Sequence, residues 1–268
     1  MAPRALIVVV ALLLAAPAAA YNRTRSTGTG RVDLAWFDRQ ITWYLPVPGS
    51  ADVPHEAAVA AAKRAFAAWA AVGCTDVNFT FVAGGPDRTS LDGGDPDGYN
   101  VIRWRESDWP GAPDQIAITT VSYDPQSGRI VDVDIDLNGQ YLFFTASDDP
   151  NQTEYDIESA LMHEAGHLLG FDDSPDPAAV MSQTLARGDL RRALGADDQA
   201  AVCGVYPAGA PTPTIGAVDA ELQGGCSVGA PAGARLVGLA LLALAYLVTV
   251  TLLRPRGRSG SRSRARAR

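Results

Sequence analysis

Basic residues are scarce in most of this 268-residue sequence. Residues 21–225 contain all 30 aspartates and glutamates but only 13 of the 22 lysines and arginines, so their net charge is near −17. A surface of this charge repels a phosphate backbone, and we therefore expect no nucleic acid among the partners. The acidity suits bound cations such as calcium, and a well-solvated acidic surface explains it equally well.

The start of the chain differs from the acidic body in composition. Residues 1–20 place Arg4 before an apolar run that ends in Pro17 and three alanines. This order is typical of a secretory signal peptide that is removed before Tyr21. We therefore expect an exported protein.

The other end combines an apolar run with a cluster of charge. Residues 236–253 contain no charged side chain over 18 positions, and seven arginines follow in residues 254–268. The run is just long enough to cross a bilayer, and the arginines favour the cytoplasmic side. We predict a transmembrane segment that anchors the exported protein at the cell surface, at least initially. A buried core helix is the alternative interpretation of the run.

Cysteine is scarce, with three residues. Cys74 and Cys203 lie in the acidic body, whereas Cys226 lies in residues 207–235, which are rich in proline, glycine and alanine and which we interpret as a linker. A disulfide between the first two would close a long loop and contribute about 4–5 kcal/mol of stability. Two unrelated free thiols are the alternative.

The patterning of residues 21–206 predicts one domain without internal repeats. Residues 130–137 alternate between apolar and polar side chains, and we interpret the face that carries Asp132, Asp134 and Asp136 as solvated. The expected strands are 42–45, 78–82, 100–104, 116–123 and 130–137, and the expected helices are 53–72, 196–205 and a segment from 153 or 156 to 169.

Histidine is as scarce as cysteine, and two of the three histidines form a metal motif in residues 163–173, HEAGHLLGFDD. Residues four apart on a helix share one face, so His163 and His167 are able to bind the same ion, and imidazole suits zinc. Glu164 lies beside them, where a carboxylate is able to take a proton from a metal-bound water. We interpret the third histidine, His55, as an exposed surface residue.

A catalytic zinc site requires a third protein ligand. Some zinc hydrolases take it from a glutamate on a later helix, but the next glutamate after the motif is Glu221, in the linker. Others turn the chain sharply at a glycine and use a residue ten positions after the first histidine. Gly170 and Asp173 meet this second pattern, with Asp172 as a competing ligand.

These residues resemble the metzincin metallopeptidases, and within them the matrixins. Residues 179–181 resemble the Met-turn of that family, in which a methionine, here Met181, lies beneath the metal. The resemblance extends over most of the body. It implies an α+β metzincin-type catalytic fold, with a twisted five-stranded mixed sheet and three helices. It also implies a zinc endopeptidase whose protein or peptide substrate lies extended along the edge strand near residues 116–123.

The sequence departs from the matrixin pattern at the metal positions. Asp173 replaces a histidine, as in snapalysin-like metzincins, and a carboxylate binds zinc at a similar distance. The histidines of the matrixin structural zinc site have no counterpart, and Asp134 stands where one would be, so we predict a single catalytic zinc. Asp136 falls near a matrixin calcium ligand, but Gly139 replaces the acidic residue expected after it; calcium is a second candidate ion.

The C-terminal region has a resemblance of its own. Cys226 after a glycine, a spacer, an apolar span and an arginine cluster resemble the myxobacterial C-terminal sorting segment. This implies surface retention, with processing or lipid attachment near Cys226. A plain membrane anchor fits the same residues equally well.

Two functions follow from these residues. We predict a secreted or surface-anchored zinc endopeptidase in which Glu164 acts as general base and then as general acid. The alternative is a surface-anchored binding module that keeps the fold but has lost activity, with Asp173 as the inactivating change. We favour the enzyme because Glu164 has no structural reason to occupy the motif. A hydrolase that acts on substrates other than peptides has the same ligands.

Overall fold

Five segments with strand-like patterning form the central sheet of the computed structural model, which describes residues 21–27, 30–93 and 95–210. In chain order the strands are β1 (Asn22–Arg23), β2 (Gln40–Leu45), β3 (Asn78–Ala83), β4 (Asn100–Trp104), β5 (Ala117–Tyr123), β6 (Ile130–Leu137), β7 (Phe143–Thr145), β8 (Glu154–Asp156) and β9 (Phe171–Asp172), and the α-helices are α1 (His55–Ala70), α2 (Ile157–Leu168) and α3 (Ala196–Val205).

The central sheet has the spatial order β3-β2-β4-β6-β5. All its neighbours pair in parallel except β5, which runs antiparallel to β6 at one edge. The predicted α+β fold, with a five-stranded mixed sheet and three α-helices in the described residues, is confirmed. The antiparallel edge strand is the one that the sequence placed at residues 116–123.

Helices α1 and α2 pack together on one face of the sheet. The indole of Trp43 on β2 stacks on Phe66 of α1 with ring centroids 4.9 Å apart. The indole N–H of Trp69 donates to the backbone carbonyl of Met162 at 2.9 Å, which fixes α1 against α2 in a buried environment. The metal motif on α2 is therefore supported from behind by the main hydrophobic core.

The opposite face of β6 is buried as well, so our interpretation of its aspartates as a solvated face is wrong. Asp132, Asp134 and Asp136 are 1%, 2% and 0% exposed. The 3₁₀-helix Ser90–Asp92 lies over them, and the backbone N–H and hydroxyl of Ser90 both donate to Asp134 Oδ2 at 2.7 Å. Strand alternation identified the correct face but not the loop that covers it.

Asp136, the candidate calcium ligand, has a cationic partner in the protein itself. The Arg105 guanidinium donates to Asp136 Oδ1 at 2.7 Å, and the Thr89 hydroxyl donates to the same oxygen at 3.0 Å. We predicted calcium as a possible cation beside Asp136. In the structure the guanidinium of Arg105 supplies the positive charge at this place.

The structure joins Cys74 and Cys203 in a disulfide, with their Cα atoms 5.4 Å apart. The bond connects the segment after α1 to α3, across a sequence separation of 129 residues. The backbone carbonyl of Cys74 also accepts from Ala208 N at 2.7 Å, so the end of the described chain is fastened at the same place.

Several sequence predictions concern residues 1–20 and 211–268, which lie outside the described residues. They are the signal peptide, most of the linker with Cys226, the membrane span and the arginine-rich tail. Within residues 21–27, 30–93 and 95–210, no helix has both the length and the apolarity needed to span a membrane.

The buried Asp132 generates a prediction about pH. Burial, with the nearby carboxylates of Asp134 and Asp97, raises its pKa to about 6. Because folding raises the pKa of this carboxyl group, ionising it destabilises the folded protein. The free energy of unfolding is therefore highest at acidic pH and falls as pH rises from about 4 through 6. We expect Asp132→Asn to exceed the wild type by about 1 kcal/mol at pH 4.5, where part of the loss has already occurred, and by about 3 kcal/mol at pH 8, in urea unfolding.

The exposed Asp149→Asn is the control for this experiment. It should leave the difference between the two pH values unchanged. An Asp132→Asn variant with the same gain at pH 4.5 and pH 8 would contradict the prediction.

Candidate active site

Helix α2 places both histidines of the motif on the side that faces an open cleft. The side chains of His163 and His167 are 19% and 23% exposed, whereas most other residues of the helix are buried. Their Nε2 atoms lie 3.0 Å apart, as expected for residues one turn apart. His55 lies outside this cluster, but it is half-buried, so our interpretation of it as an exposed residue is wrong.

Backbone carbonyls set the protonation of both rings. His163 Nδ1 lies 2.9 Å from the carbonyl oxygen of Val180, and His167 Nδ1 lies 2.9 Å from that of Phe171. A carbonyl oxygen only accepts, so each Nδ1 carries a hydrogen and each Nε2 presents its lone pair. Two lone pairs that meet at 3.0 Å repel each other unless a cation lies between them, which is the arrangement of a metal site.

The chain reverses direction at the end of α2 through Gly170. Its φ is +84°, and a Cβ at this position would lie 2.6 Å from the carbonyl oxygen of Leu34. Gly170 N donates to the carbonyl of His167 at 2.9 Å, which closes the helix. Glycine alone meets both the left-handed conformation and the close approach, as the sequence analysis expected for this turn.

The first described residues hold the loop that follows the turn. Strand β1 pairs antiparallel with β9, and the Asn22 side chain donates to the backbone carbonyl of Asp173 at 2.8 Å. Thr24 N donates to the carbonyl of Gly170 at 3.0 Å, and the Thr24 hydroxyl donates to that of Phe171 at 3.1 Å. The position of Asp173 therefore depends on residues about 150 positions earlier in the chain.

Asp173 completes a three-ligand cluster with the histidines. Its Oδ1 lies 3.4 Å from His163 Nε2 and 3.6 Å from His167 Nε2. Tetrahedral zinc with bonds of about 2.0–2.1 Å places neighbouring ligand atoms about 3.3–3.4 Å apart, so these residues fit the ion. In the described residues no other group of three or more metal-binding side chains lies this close together.

The competing aspartate has a different role. Asp172 is exposed, and its Oδ1 accepts the backbone N–H of Asp173 at 2.9 Å. Asp172 therefore lies outside the cluster and orients the backbone of Asp173, which belongs to the cluster.

The carboxylates also affect the titration of the cluster. Burial alone lowers the pKa of His163, but the hydrogen bond that its protonated Nε2 would donate to Asp173 and the nearby charge of Glu164 outweigh burial and raise that pKa above its usual value. The same hydrogen bond lowers the pKa of Asp173. Both shifts show that the site favours positive charge, which is what a divalent cation supplies.

Met181 lies directly behind the histidines. A Cβ on Gly166, between them on α2, would overlap the Met181 sulfur, so the glycine makes room for the methionine. The backbone N–H groups of Val180 and Met181 donate to the buried carboxylate of Asp198 at 2.7 and 3.1 Å. Helix α3 therefore fixes the turn that carries both the methionine and the carbonyl partner of His163.

Glu164 has a partner that sequence reasoning missed. The hydroxyl of Thr119 on β5 donates to Glu164 Oε2 at 2.5 Å, and the glutamate is buried. Thr119 pairs across the sheet with Ile135, which belongs to the core on the helix side. The signal was weak in the sequence because β5 reads AITTVSY, with two adjacent threonines and no alternation to show which one faces α2.

The cluster opens into a cleft of about 610 Å³. Residues of β5, residues of α2, residues 182–185 and Arg191 all line this cleft. Because β5 pairs only with β6 in the described sheet, its other edge faces the cleft with free backbone N–H and C=O groups.

The sheet, the HExxH helix, the glycine turn and the methionine behind the ligands define a zinc-dependent hydrolase site. A family model described as Matrixin matches residues 35–207. The chain belongs to the matrixin family, whose members are zinc-dependent metallopeptidases. A comparison with curated proteins finds no match. The family match confirms the resemblance to matrixins found in the sequence.

The turn at Gly170 generates a prediction about stability and metal binding. In Gly170→Ala the left-handed conformation alone should cost about 1–2 kcal/mol. The overlap of the new Cβ with the Leu34 carbonyl should add to this loss and displace Asp173. We expect a lower free energy of urea unfolding together with weaker zinc binding.

Gly84→Ala is the matched control, since Gly84 has a φ of +87° but no atom within 4 Å of an added Cβ. It should lose stability without losing zinc affinity. Equal losses of stability and of zinc affinity in both variants would contradict the prediction that the contact between Gly170 and the Leu34 carbonyl positions Asp173.

Asp173 generates a second prediction. Loss of an outer partner of a metal ligand typically weakens binding about 10–100-fold, so loss of a direct ligand in Asp173→Ala should weaken zinc binding at least about 100-fold. Asp173→His should retain zinc because imidazole is also a zinc ligand. Competition with a fluorescent zinc chelator measures both affinities.

Asp172→Ala provides the control, since this neighbouring carboxylate lies outside the cluster. Its zinc affinity should change much less. If the Asp172 variant loses more affinity than the Asp173 variant, the ligand assignment is wrong.

Proposed function

We propose that this matrixin is an active endopeptidase with a single zinc, bound by His163, His167 and Asp173. The observation that carries the proposal is the convergence of these three donors beside Glu164 in an open cleft. The residues fit the ion in spacing, tautomer and charge.

Zinc, when bound, polarises a peptide carbonyl and lowers the pKa of a water molecule, so that water attacks at neutral pH. Glu164 takes the proton from that water on a carboxylate oxygen and then delivers it to the leaving amine. Thr119 holds one oxygen of Glu164, which orients the carboxylate before the substrate arrives.

The substrate proposed for this cleft is an extended polypeptide. Its backbone pairs with the free edge of β5 and thereby adds a strand to the sheet. These bonds use the peptide backbone that all sequences share, so they supply affinity, and side-chain pockets supply selectivity. Cleavage within a chain requires the bound polypeptide to extend past the site in both directions along this edge.

Asp173 should weaken the activation of water without abolishing it. Two neutral imidazoles and one carboxylate leave a Zn²⁺ site with one net positive charge, whereas three imidazoles leave two. The inactive binding module remains the competing function. The bond between Glu164 and Thr119 supports the enzyme, because it fixes a general base beside the ligands, where a binding module has no use for one.

We further propose that the protein is exported and is anchored at the cell surface through its C-terminal segment, with processing or lipid attachment near Cys226. The disulfide between Cys74 and Cys203 supports export, because disulfides persist mainly in oxidising compartments. An extracellular or surface location also suits an enzyme that acts on other proteins.

The decisive experiment compares the full-length protein with its Glu164→Gln variant. Gln keeps the size of the side chain but accepts no proton from water. We expect about one zinc per chain in both proteins by elemental analysis. Cleavage of unfolded casein should fall by at least about 100-fold in the variant.

Each result separates the two functions. Equal zinc content with cleavage only in the wild type supports the peptidase. Zinc in both proteins with cleavage in neither identifies a binding module. Loss of zinc in Glu164→Gln would mean that the glutamate acts in metal binding and would contradict its assignment as base.

A further inference from the structure

One basic side chain stands in an otherwise acidic cleft. In the part of the chain that the structure describes, Arg191 is the only lysine or arginine among the residues that line it. The acidic residues of the lining are Asp114, Glu164, Asp172 and Asp173. A cation at this place is unusual for a cleft on a strongly acidic domain.

The backbone of Arg191 is fixed close to the ligand helix. Its N–H donates to the hydroxyl oxygen of Ser159 at 2.7 Å, and that hydroxyl donates to the buried carboxylate of Asp156 at 2.6 Å. Ser159 lies one helical turn before His163, and Cβ atoms at this spacing are about 5–6 Å apart. Arg191 is thus held about one turn from the metal-binding cluster.

The next residue, Arg192, has a structural role. The Arg192 guanidinium forms ion pairs with Asp148 and Asp156 at 2.5 and 2.6 Å and also donates to the carbonyl of Ser147. These contacts explain why position 192 is basic. The same contacts fix the chain at the residue directly after Arg191.

Arg191 has none of these contacts. In the described residues its side chain forms no ion pair and no hydrogen bond, although the residue is half-buried. The acidic groups of the same region are already paired: Asp156 with Arg192, and Glu158 with Arg64 at 2.6 Å. Among the described residues the guanidinium therefore lines the cleft without a carboxylate partner, so it is available to bind an anionic group of a ligand.

We propose that Arg191 determines specificity by binding an aspartate or glutamate side chain of the substrate, at one fixed position within two residues of the scissile bond. This proposal rests on the proposed peptidase function. Tyr155, Ala160 and Leu185 also line the cleft, and apolar surroundings strengthen a charge-assisted bond. A planar guanidinium also matches a carboxylate in a two-bond geometry.

A carboxylate could also come from the C-terminus of a peptide. The test therefore uses amidated decapeptides of neutral residues, labelled with fluorescein, in which one position at a time is glutamate or glutamine. A third set has only neutral side chains and a free C-terminus. Binding is measured by fluorescence anisotropy with the zinc-loaded, full-length Glu164→Gln variant, which is designed not to cleave them.

We expect glutamate at one position to bind at least about tenfold tighter than glutamine at that position. Adding Arg191→Gln should remove the difference, and Arg191→Lys should retain part of it. Arg129→Gln is the matched control, since Arg129 is exposed and lies outside the cleft. It should change nothing.

Cleavage provides a second readout with the wild-type background. Cleaved sites from a peptide library should be enriched in aspartate or glutamate at the same position, and Arg191→Glu should shift the enrichment to lysine or arginine. Equal binding of glutamate and glutamine, absence of peptide binding, a preference for the free C-terminus alone, or a preference that survives Arg191→Gln overturns the proposal.

The failure of the peptidase function gives a different result. In that case the wild type cleaves nothing, while the binding assay still shows whether Arg191 selects acidic side chains. Cleavage without an acidic preference refutes the role of Arg191 and leaves the peptidase intact.

Discussion

Two hydrogen bonds from imidazole rings to backbone carbonyls hold the site together. Through His163 the helix is connected to Val180 in the Met-turn, and through His167 it is connected to Phe171 in the ligand loop. Each bond fixes a tautomer and a ring orientation at once. The geometry of the cluster therefore depends on three chain segments that meet at α2, and a shift in either loop moves a histidine ring on the helix.

The rest of the structure keeps these segments in place. Asp198 on α3 binds the backbone of the Met-turn, and β1 pairs with the strand that leads to Asp173. Burial raises the pKa of Asp198, while the hydrogen bonds that its carboxylate accepts from backbone N–H groups oppose this effect. Distant parts of the chain thus supply the rigidity that a pre-organised site requires.

Local patterns predicted the three α-helices and the five strands of the central sheet, because apolar periodicity is visible in segments such as α2 and β6. They missed the strands of two or three residues, β1, β7, β8 and β9, which are too short to show a period. The HExxH spacing, the glycine turn and Asp173 were equally visible. The contacts between helices, strands and loops were not visible in the sequence. The burial of Asp132 depends on a 3₁₀-helix some 40 residues earlier, and the roles of Thr119 and Arg191 depend on which elements meet across the cleft.

The short strand β1 has a consequence for the kinetics of metal exchange. His163 and His167 lie on a helix embedded in the core, whereas the loop of Asp173, the third residue of the cluster, is held by a two-residue strand at the start of the described chain. Fraying of so few hydrogen bonds requires far less free energy than global unfolding. Local opening of this strand releases the loop that carries Asp173 while the core stays folded, so an ion bound at the cluster would be able to leave without global unfolding.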